Sequence, residues 1–162
     1  VGPGSPVQVR RPTPEDGAAM WRIARDSQVL DLNASYAYVL WCRDFAGTSG
    51  VATVDGEVVG FVTGYRRPKQ PATLMVWQVA VDEQFRGRGI ASRMLDALPE
   101  GLDRPVSSLE TTITPDNTGS IRLFSGFAES RGTQLLREPA FDSSLFPDGH
   151  EPELLFRIGP LG

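Results

Sequence analysis

Trp77-Gln78-Val79-Ala80-Val81-Asp82-Glu83-Gln84-Phe85-Arg86-Gly87-Arg88-Gly89-Ile90-Ala91, continued to Leu98, is the stretch that decides how this chain is read. Trp77 to Val81 is an apolar run of β-forming residues. It enters a turn with two glycines. Beyond the turn, Ile90, Ala91, Met94, Leu95 and Leu98 recur at helical spacing. Strand, glycine turn and helix N-terminus in that order make an anion-binding device. Glycine lets the backbone approach a phosphate, and the unpaired N–H groups and positive dipole end of the helix favour negative charge. Arg86 and Arg88 add cations at the same place. The turn lacks the Gly-Lys-Ser/Thr ending of a nucleotide P-loop and the third glycine of a dinucleotide turn. The competing interpretation is an ordinary strand-to-helix connection whose arginines face solvent.

Size and composition bound the rest. With 162 residues, the chain is expected to form one domain over 1–162, with residues 1–6 a short flexible end and no secretory leader. Hydrophobic residues make up 40% and charged residues 22%, the balance of a soluble globular protein. No apolar run approaches the ~20 residues of a membrane helix. Cys42 is the only cysteine, so no internal disulfide is possible, which fits a cytoplasmic location. It is expected to be a buried, inert thiol. A net charge of −4 argues against a nucleic-acid partner and suits a cationic small molecule. One histidine and one cysteine give no basis for a metal site, and no Gly-x-Ser-x-Gly elbow is present.

The remaining pattern predicts a mixed, mostly antiparallel α/β chain with one crossover helix. Val7 to Arg10 reads as a strand. Thr13-Pro14-Glu15-Asp16 reads as a helix start, and Ser35 to Asp44 as a second helix. Val51 to Val54 and Val58 to Tyr65 flank Asp55-Gly56 as a hairpin. Arg66 to Thr73 reads as a Pro-containing loop, and Leu74 to Asp82 as a strand. Ile90 to Leu98 is a helix broken by Pro99 and Gly101. Val106 to Thr112 is a strand, Ser120 to Phe127 a short helix, and Leu154 to Ile158 a closing strand. Arg131 to Gly149 resists assignment apart from Leu135-Leu136, which suits a strand, and a loop from Asp142 to Gly149.

Gln84-x-x-Gly87-x-Gly89 resembles the pyrophosphate signature of the GNAT superfamily of acyl-CoA N-acyltransferases. Asn117-x-x-Ser120-x-x-Leu123-Phe124 is similar to a second motif of that superfamily. The resemblance implies the GNAT fold and acetyl-CoA as cosubstrate, with no metal. It implies cofactor contacts from Val79, Val81, Gln84, Arg86, Gly87, Arg88, Gly89, Ile90, Ala91, Asn117, Ser120 and Phe124. Many relatives place at the position of Phe124 a Tyr that protonates the departing thiolate. Phe cannot donate a proton, so water or Ser120 must do so, or the thiolate leaves as such.

Further stretches resemble one branch, the diaminobutyrate acetyltransferases of ectoine biosynthesis. They include Arg11 to Gly17, Leu30-Asp31-Leu32-Asn33-Ala34-Ser35-Tyr36-Ala37-Tyr38, Gly60 to Tyr65, Val76 to Val81, Leu109 to Pro115, His150-Glu151-Pro152-Glu153 and Arg157 to Pro160. The branch implies acetyl transfer to the γ-amino group of L-2,4-diaminobutyrate, a role in osmoprotection and a homodimer.

Residue chemistry points the same way. An amine attacks a thioester only when neutral, yet at pH 7 it is mostly protonated. Carboxylates both pair with ammonium groups and accept the proton. Glu153 is the first choice for binding or deprotonating the γ-amine, with His150 ranked below it. Asp31 is assigned to a substrate ammonium through the resemblance, although its residues alone favour helix capping. Asn33 follows as a weaker case. Tyr36 is favoured over Tyr38 for substrate contact. Trp77 either walls off the substrate or is a plain core residue. The N–H of Val79 suits a developing oxyanion. Glu110 suits a base acting through water or an ion pair equally. Another small amine as acceptor, or a catalytically silent acyl-CoA-binding module, are the alternatives.

Overall fold

The computed structural model of the protein describes residues 4–162. Residues 1–3, part of the end expected to be flexible, lie outside the described residues. The Asp55-Gly56 turn joins β2 (Gly50–Val54) to β3 (Glu57–Arg67), and both turn residues have positive φ, 51° and 82°. Those angles match the twist of an antiparallel pair. β1 (Val7–Arg10) pairs antiparallel with β2. Between β1 and β2 the chain makes α1 (Gly17–Ser27) and α2 (Ser35–Asp44). Ahead of α1, Thr13 opens a 3₁₀ turn over Pro14–Asp16, and the Asp16 carboxylate accepts the Thr13 N–H at 2.7 Å.

β4 (Gln70–Val81) leads through the glycine turn to α3 (Ile90–Glu100), and β5 (Ser108–Ile113) returns parallel to β4. α4 (Thr118–Ser130), β6 (Gln134–Phe141) and β7 (Glu153–Gly159) complete the chain. The hydrogen-bonded strand order is β1-β2-β3-β4-β5-β7-β6. β5–β7 and β6–β7 are antiparallel. This is the expected GNAT architecture of a mostly antiparallel sheet with flanking helices.

The backbone groups into two compact units. One holds the residues through Tyr65 with Trp77–Pro105; the other holds Arg66–Val76 with Val106–Gly162. In the first, Met20, Ile23 and Ala24 of α1 and Tyr38 and Cys42 of α2 bury against Val51, Phe61 and Ala80. Each large side chain so buried contributes roughly 1.5–3 kcal/mol. β3 lies close to β4 at Gly60, where a Cβ would stand 3.1 Å from the Ala80 carbonyl oxygen. In the second unit Leu109, Ile113, Phe124, Phe127, Phe156 and Ile158 are buried.

Three expectations are corrected. Arg66 to Thr73 is not a loop: β3 runs to Arg67, and β4 starts at Gln70 after a two-residue turn. Pro71 is tolerated because it is the second residue of its strand, where a missing donor costs little. The helix after the glycine turn extends to Glu100, with Pro99 inside its last turn. The helix expected over Ser120 to Phe127 spans Thr118–Ser130. Gly132, at φ 62°, closes it, with N–H bonds from Thr133 to Ala128 and from Gly132 to Glu129. The segment left largely unassigned contains β6, which includes the expected Leu135-Leu136; its exposure and a register shift between Pro139 and Phe141 leave no clean hydrophobic alternation to show its full length.

Candidate active site

The turn after β4 is built by its own side chains. Asp82 accepts the Gln84 N–H at 3.0 Å and starts a 3₁₀ turn over Glu83–Phe85. Buried Phe85 anchors that turn. Gly87 and Gly89 then take positive φ, 80° and 72°, and α3 begins at Ile90. At neither glycine would a Cβ meet a heavy atom within 4 Å. The first N–H groups of α3 have no intrahelical acceptor, so they open onto this space. Arg86 is tied back to the Val81 carbonyl at 3.3 Å, and the Arg88 guanidinium lies 4.9 Å over the Phe85 ring. Both cations stay at the turn. Two left-handed glycines, exposed amides and two arginines fit a diphosphate.

In β4, Trp77 is half-buried and its ring lies 4.7 Å from Trp41. Trp41 also touches Phe45 and Tyr65, and its indole N–H donates to Ser49 Oγ at 3.1 Å. Trp77 is therefore one wall of an aromatic group held from behind.

The segment joining α1 to α2 carries Asp31 and Asn33. The N-cap of α2 is Ala34 and no side chain caps it, so the capping interpretation of Asp31 and Asn33 falls. Asn33 Nδ2 instead reaches the Asp31 carbonyl at 3.4 Å. Tyr36 is 68% exposed. Tyr38 is fully buried, and its hydroxyl donates to Gln78 Oε1 at 2.9 Å. Sequence reasoning missed Gln78, because nothing local marks a glutamine that bonds residues 40 and 47 positions away.

The other candidates lie in the second unit. Asn117 caps α4, its Oδ1 accepting the Ser120 N–H at 3.2 Å. Phe124 is 2% exposed and packs in the core. His150 and Glu153 are brought together: His150 Nε2 lies 3.9 Å from Glu153 Oε1. His150 Nδ1 is 2.6 Å from the Glu151 carbonyl, which can only accept, so Nδ1 carries a proton. Protonation at Nε2 then makes His150 and Glu153 an ion pair. Glu110, 2% exposed, receives Arg157 at 2.8 Å on one oxygen and Arg67 at 3.3 Å on the other. Of its two expected roles, the ion pair is the one observed.

Burial raises the Cys42 thiol to about 11, with the charge of Asp16 adding to the rise. Among the described residues, no group of three His, Cys, Asp or Glu side chains could hold a metal ion, and no helix is long and apolar enough to cross a membrane.

Residues 17–127 match the acetyltransferase (GNAT) family. An L-2,4-diaminobutyric acid acetyltransferase from Streptomyces coelicolor is 60% identical over 159 residues, 96% of this chain and 94% of the relative. One of the same name from Marinococcus halophilus is 49% identical, over 93% of this chain and 88% of the relative. Among solved structures, the diaminobutyrate acetyltransferase EctA from Paenibacillus lautus, in complex with its substrate L-2,4-diaminobutyric acid and coenzyme A, superposes with a TM-score of 0.93. It is 41% identical, and the match covers 98% of each chain.

Proposed function

The chain belongs to the acetyltransferase (GNAT) family, and from that membership we propose how its residues share the reaction. It transfers the acetyl group of acetyl-CoA to the γ-amino group of L-2,4-diaminobutyrate, a step of ectoine biosynthesis. The observation that carries the cosubstrate is the glycine turn, whose two left-handed glycines leave open space at the amide end of α3.

Gln84, Arg86, Gly87, Arg88, Gly89, Ile90 and Ala91 are assigned to the diphosphate of acetyl-CoA. Val79 and Val81 of β4 and Asn117, Ser120 and Phe124 of α4 are assigned to the rest of that molecule. Both amines of diaminobutyrate are mostly cationic at neutral pH. Asp31 is assigned to bind an ammonium group, flanked by Asn33 and Tyr36. Trp77 offers an indole face that excludes water and attracts the cation. Glu153, paired with His150, is assigned to take the γ-proton, directly or through a water. The neutral nitrogen attacks the acyl carbon to give a tetrahedral oxyanion, which collapses with cleavage of the carbon–sulfur bond as the nitrogen gives up a second proton to water. No covalent enzyme intermediate is required. The Val79 N–H is assigned to donate to the developing oxyanion. Phe124 holds no transferable proton, so the thiolate departs as such or takes a proton from Ser120 or water.

The single-domain reading of residues 1–162, a cytoplasmic location, a homodimer and a role in osmoprotection complete the proposal. The family likeness supports them. Sedimentation that finds only monomer at micromolar concentration would remove the dimer.

Free-thiol release from acetyl-CoA with diaminobutyrate, ornithine, lysine and spermidine tests the reaction. The expected result is fastest release with diaminobutyrate and a γ-acetylated product by NMR. Preference for another amine would replace the substrate. No release with any amine would leave an acyl-CoA-binding module.

A further inference from the structure

Gln78 is 4% exposed and sits on β4 between Trp77 and Val79. Successive strand side chains point to opposite faces, so its carboxamide lies behind the face its neighbours present. That carboxamide spans two elements. Nε2 donates to the backbone carbonyl of Asp31 at 2.8 Å, and Oε1 accepts from the Tyr38 hydroxyl at 2.9 Å. The Asp31 carbonyl can only accept, so the NH₂ end must face it. Oε1 then faces Tyr38, whose hydroxyl must donate. The three groups have one hydrogen-bonding arrangement. The backbone is held too: the Gln78 N–H donates to Thr63 Oγ1 at 3.1 Å, and that hydroxyl lies 3.4 Å from the Gln78 carbonyl oxygen. A β3 side chain thus anchors the peptide next to the Val79 amide.

We infer that Gln78 is a positioning residue for diaminobutyrate: with Tyr38 it pins residues 28–34 to β4 and sets where the Asp31 carboxylate meets a substrate ammonium. This rests on the assignment of Asp31 to the substrate. The segment's own short-range hydrogen bonds are longer. α1 is followed by Gln28, left-handed at φ 60°, and no side chain caps α2. Ser27 Oγ reaches the Val29 and Leu30 amides at 3.4 and 3.3 Å, and Asn33 reaches the Asp31 carbonyl at 3.4 Å. The bond from Gln78 is shorter than these and comes from a different element. A binding group on a loop keeps its geometry only when a supporting residue locks it.

The test measures diaminobutyrate and acetyl-CoA affinity separately, by calorimetry on the full chain, for Gln78→Met, Gln78→Glu, Tyr38→Phe and Asp31→Asn. Gln78→Met keeps the volume and deletes both bonds, so the Kd for diaminobutyrate is expected to rise about tenfold, as for one lost hydrogen bond, with acetyl-CoA affinity unchanged. Tyr38→Phe removes one bond and gives a smaller rise in the same direction. As a carboxylate, Glu at position 78 sets lone pairs against the Asp31 carbonyl; protonated, it restores the donor. Burial favours the protonated form. Relative to the native chain, Gln78→Glu therefore regains diaminobutyrate affinity as pH falls, a profile that space-filling alone would not produce. If Asp31→Asn binds diaminobutyrate normally, the assignment of Asp31 fails and the inference with it. If Asp31→Asn weakens binding while both Gln78 variants match the native chain at every pH, only the inference fails. Equal, pH-independent loss of both affinities would also overturn it, by giving Gln78 a general role in β4.

Discussion

Gly87→Ala and Gly56→Ala form a matched pair that isolates the function of the glycine turn. The two glycines have nearly the same backbone angle, φ 80° and 82°, and at neither would a Cβ meet a heavy atom within 4 Å. An L-residue in the left-handed region costs roughly 1–2 kcal/mol at either position. Reduced freedom of the unfolded chain offsets about 0.4–1 kcal/mol of it. A net loss near 1 kcal/mol lowers Tm by about 2–4 °C for a chain of this size. Both variants should show that same small loss. Their acetyl-CoA affinities should differ. At position 56 the new methyl lies in the β2–β3 hairpin and binding is unchanged. At position 87 it enters the space assigned to the diphosphate and turns the local amides away from it. Losing one charge-assisted hydrogen bond, about 1.5–3 kcal/mol, weakens binding at least about tenfold. Differential scanning fluorimetry and titration calorimetry with acetyl-CoA read the two quantities on the same samples. Equal acetyl-CoA affinity in both variants, with the expected Tm losses, would refute the assignment of the turn.

Asp31→Asn and Glu153→Gln should each raise the KM for diaminobutyrate or lower kcat while acetyl-CoA still binds with native affinity; native steady-state kinetics in both would remove the acidic-pocket idea. The bidentate Arg10–Asp16 pair should make stability acid-sensitive. Asp16 is 8% exposed, and the Arg10 hydrogen bond holds its carboxyl below the usual range despite the opposing effect of burial. A depressed folded pKa stabilises above the unfolded value, near 3.9, and that contribution is lost as pH falls through the folded value. Urea midpoints of the native chain and Asp16→Asn should therefore differ at neutral pH and converge below about pH 4; a gap independent of pH would contradict the linkage. Cys42, buried and raised to about 11, should react with a disulfide reagent only after denaturation. Rapid labelling of folded protein would show an accessible thiol.

Local signals were enough wherever one short segment carried all the information. Asp55-Gly56 specified a hairpin because its two residues tolerate positive φ, and Gln84-x-x-Gly87-x-Gly89 specified a turn because those glycines occur at a strand-to-helix junction. The Ser35–Asp44 helix has its expected span although no side chain caps its start. Of β6 only Leu135-Leu136 was legible, since an exposed strand has no buried face to impose alternation, and its partner β7 lies about twenty residues downstream. Gly132 held the missed signal for the end of α4, a left-handed cap two residues past Ser130.

By itself, then, the amino-acid order determined the fold class and the glycine turn, because backbone conformation is set over a few neighbouring residues. Tertiary structure alone decided which polar side chains meet. It buried Tyr38 and left Tyr36 in solvent. It set Glu110 between Arg67 and Arg157, and His150 beside Glu153. It also joined Gln78 to Tyr38 and Asp31 across 40 and 47 residues. Such pairings are settled by strand register and helix docking, which bring distant residues within the roughly 3 Å that a hydrogen bond requires.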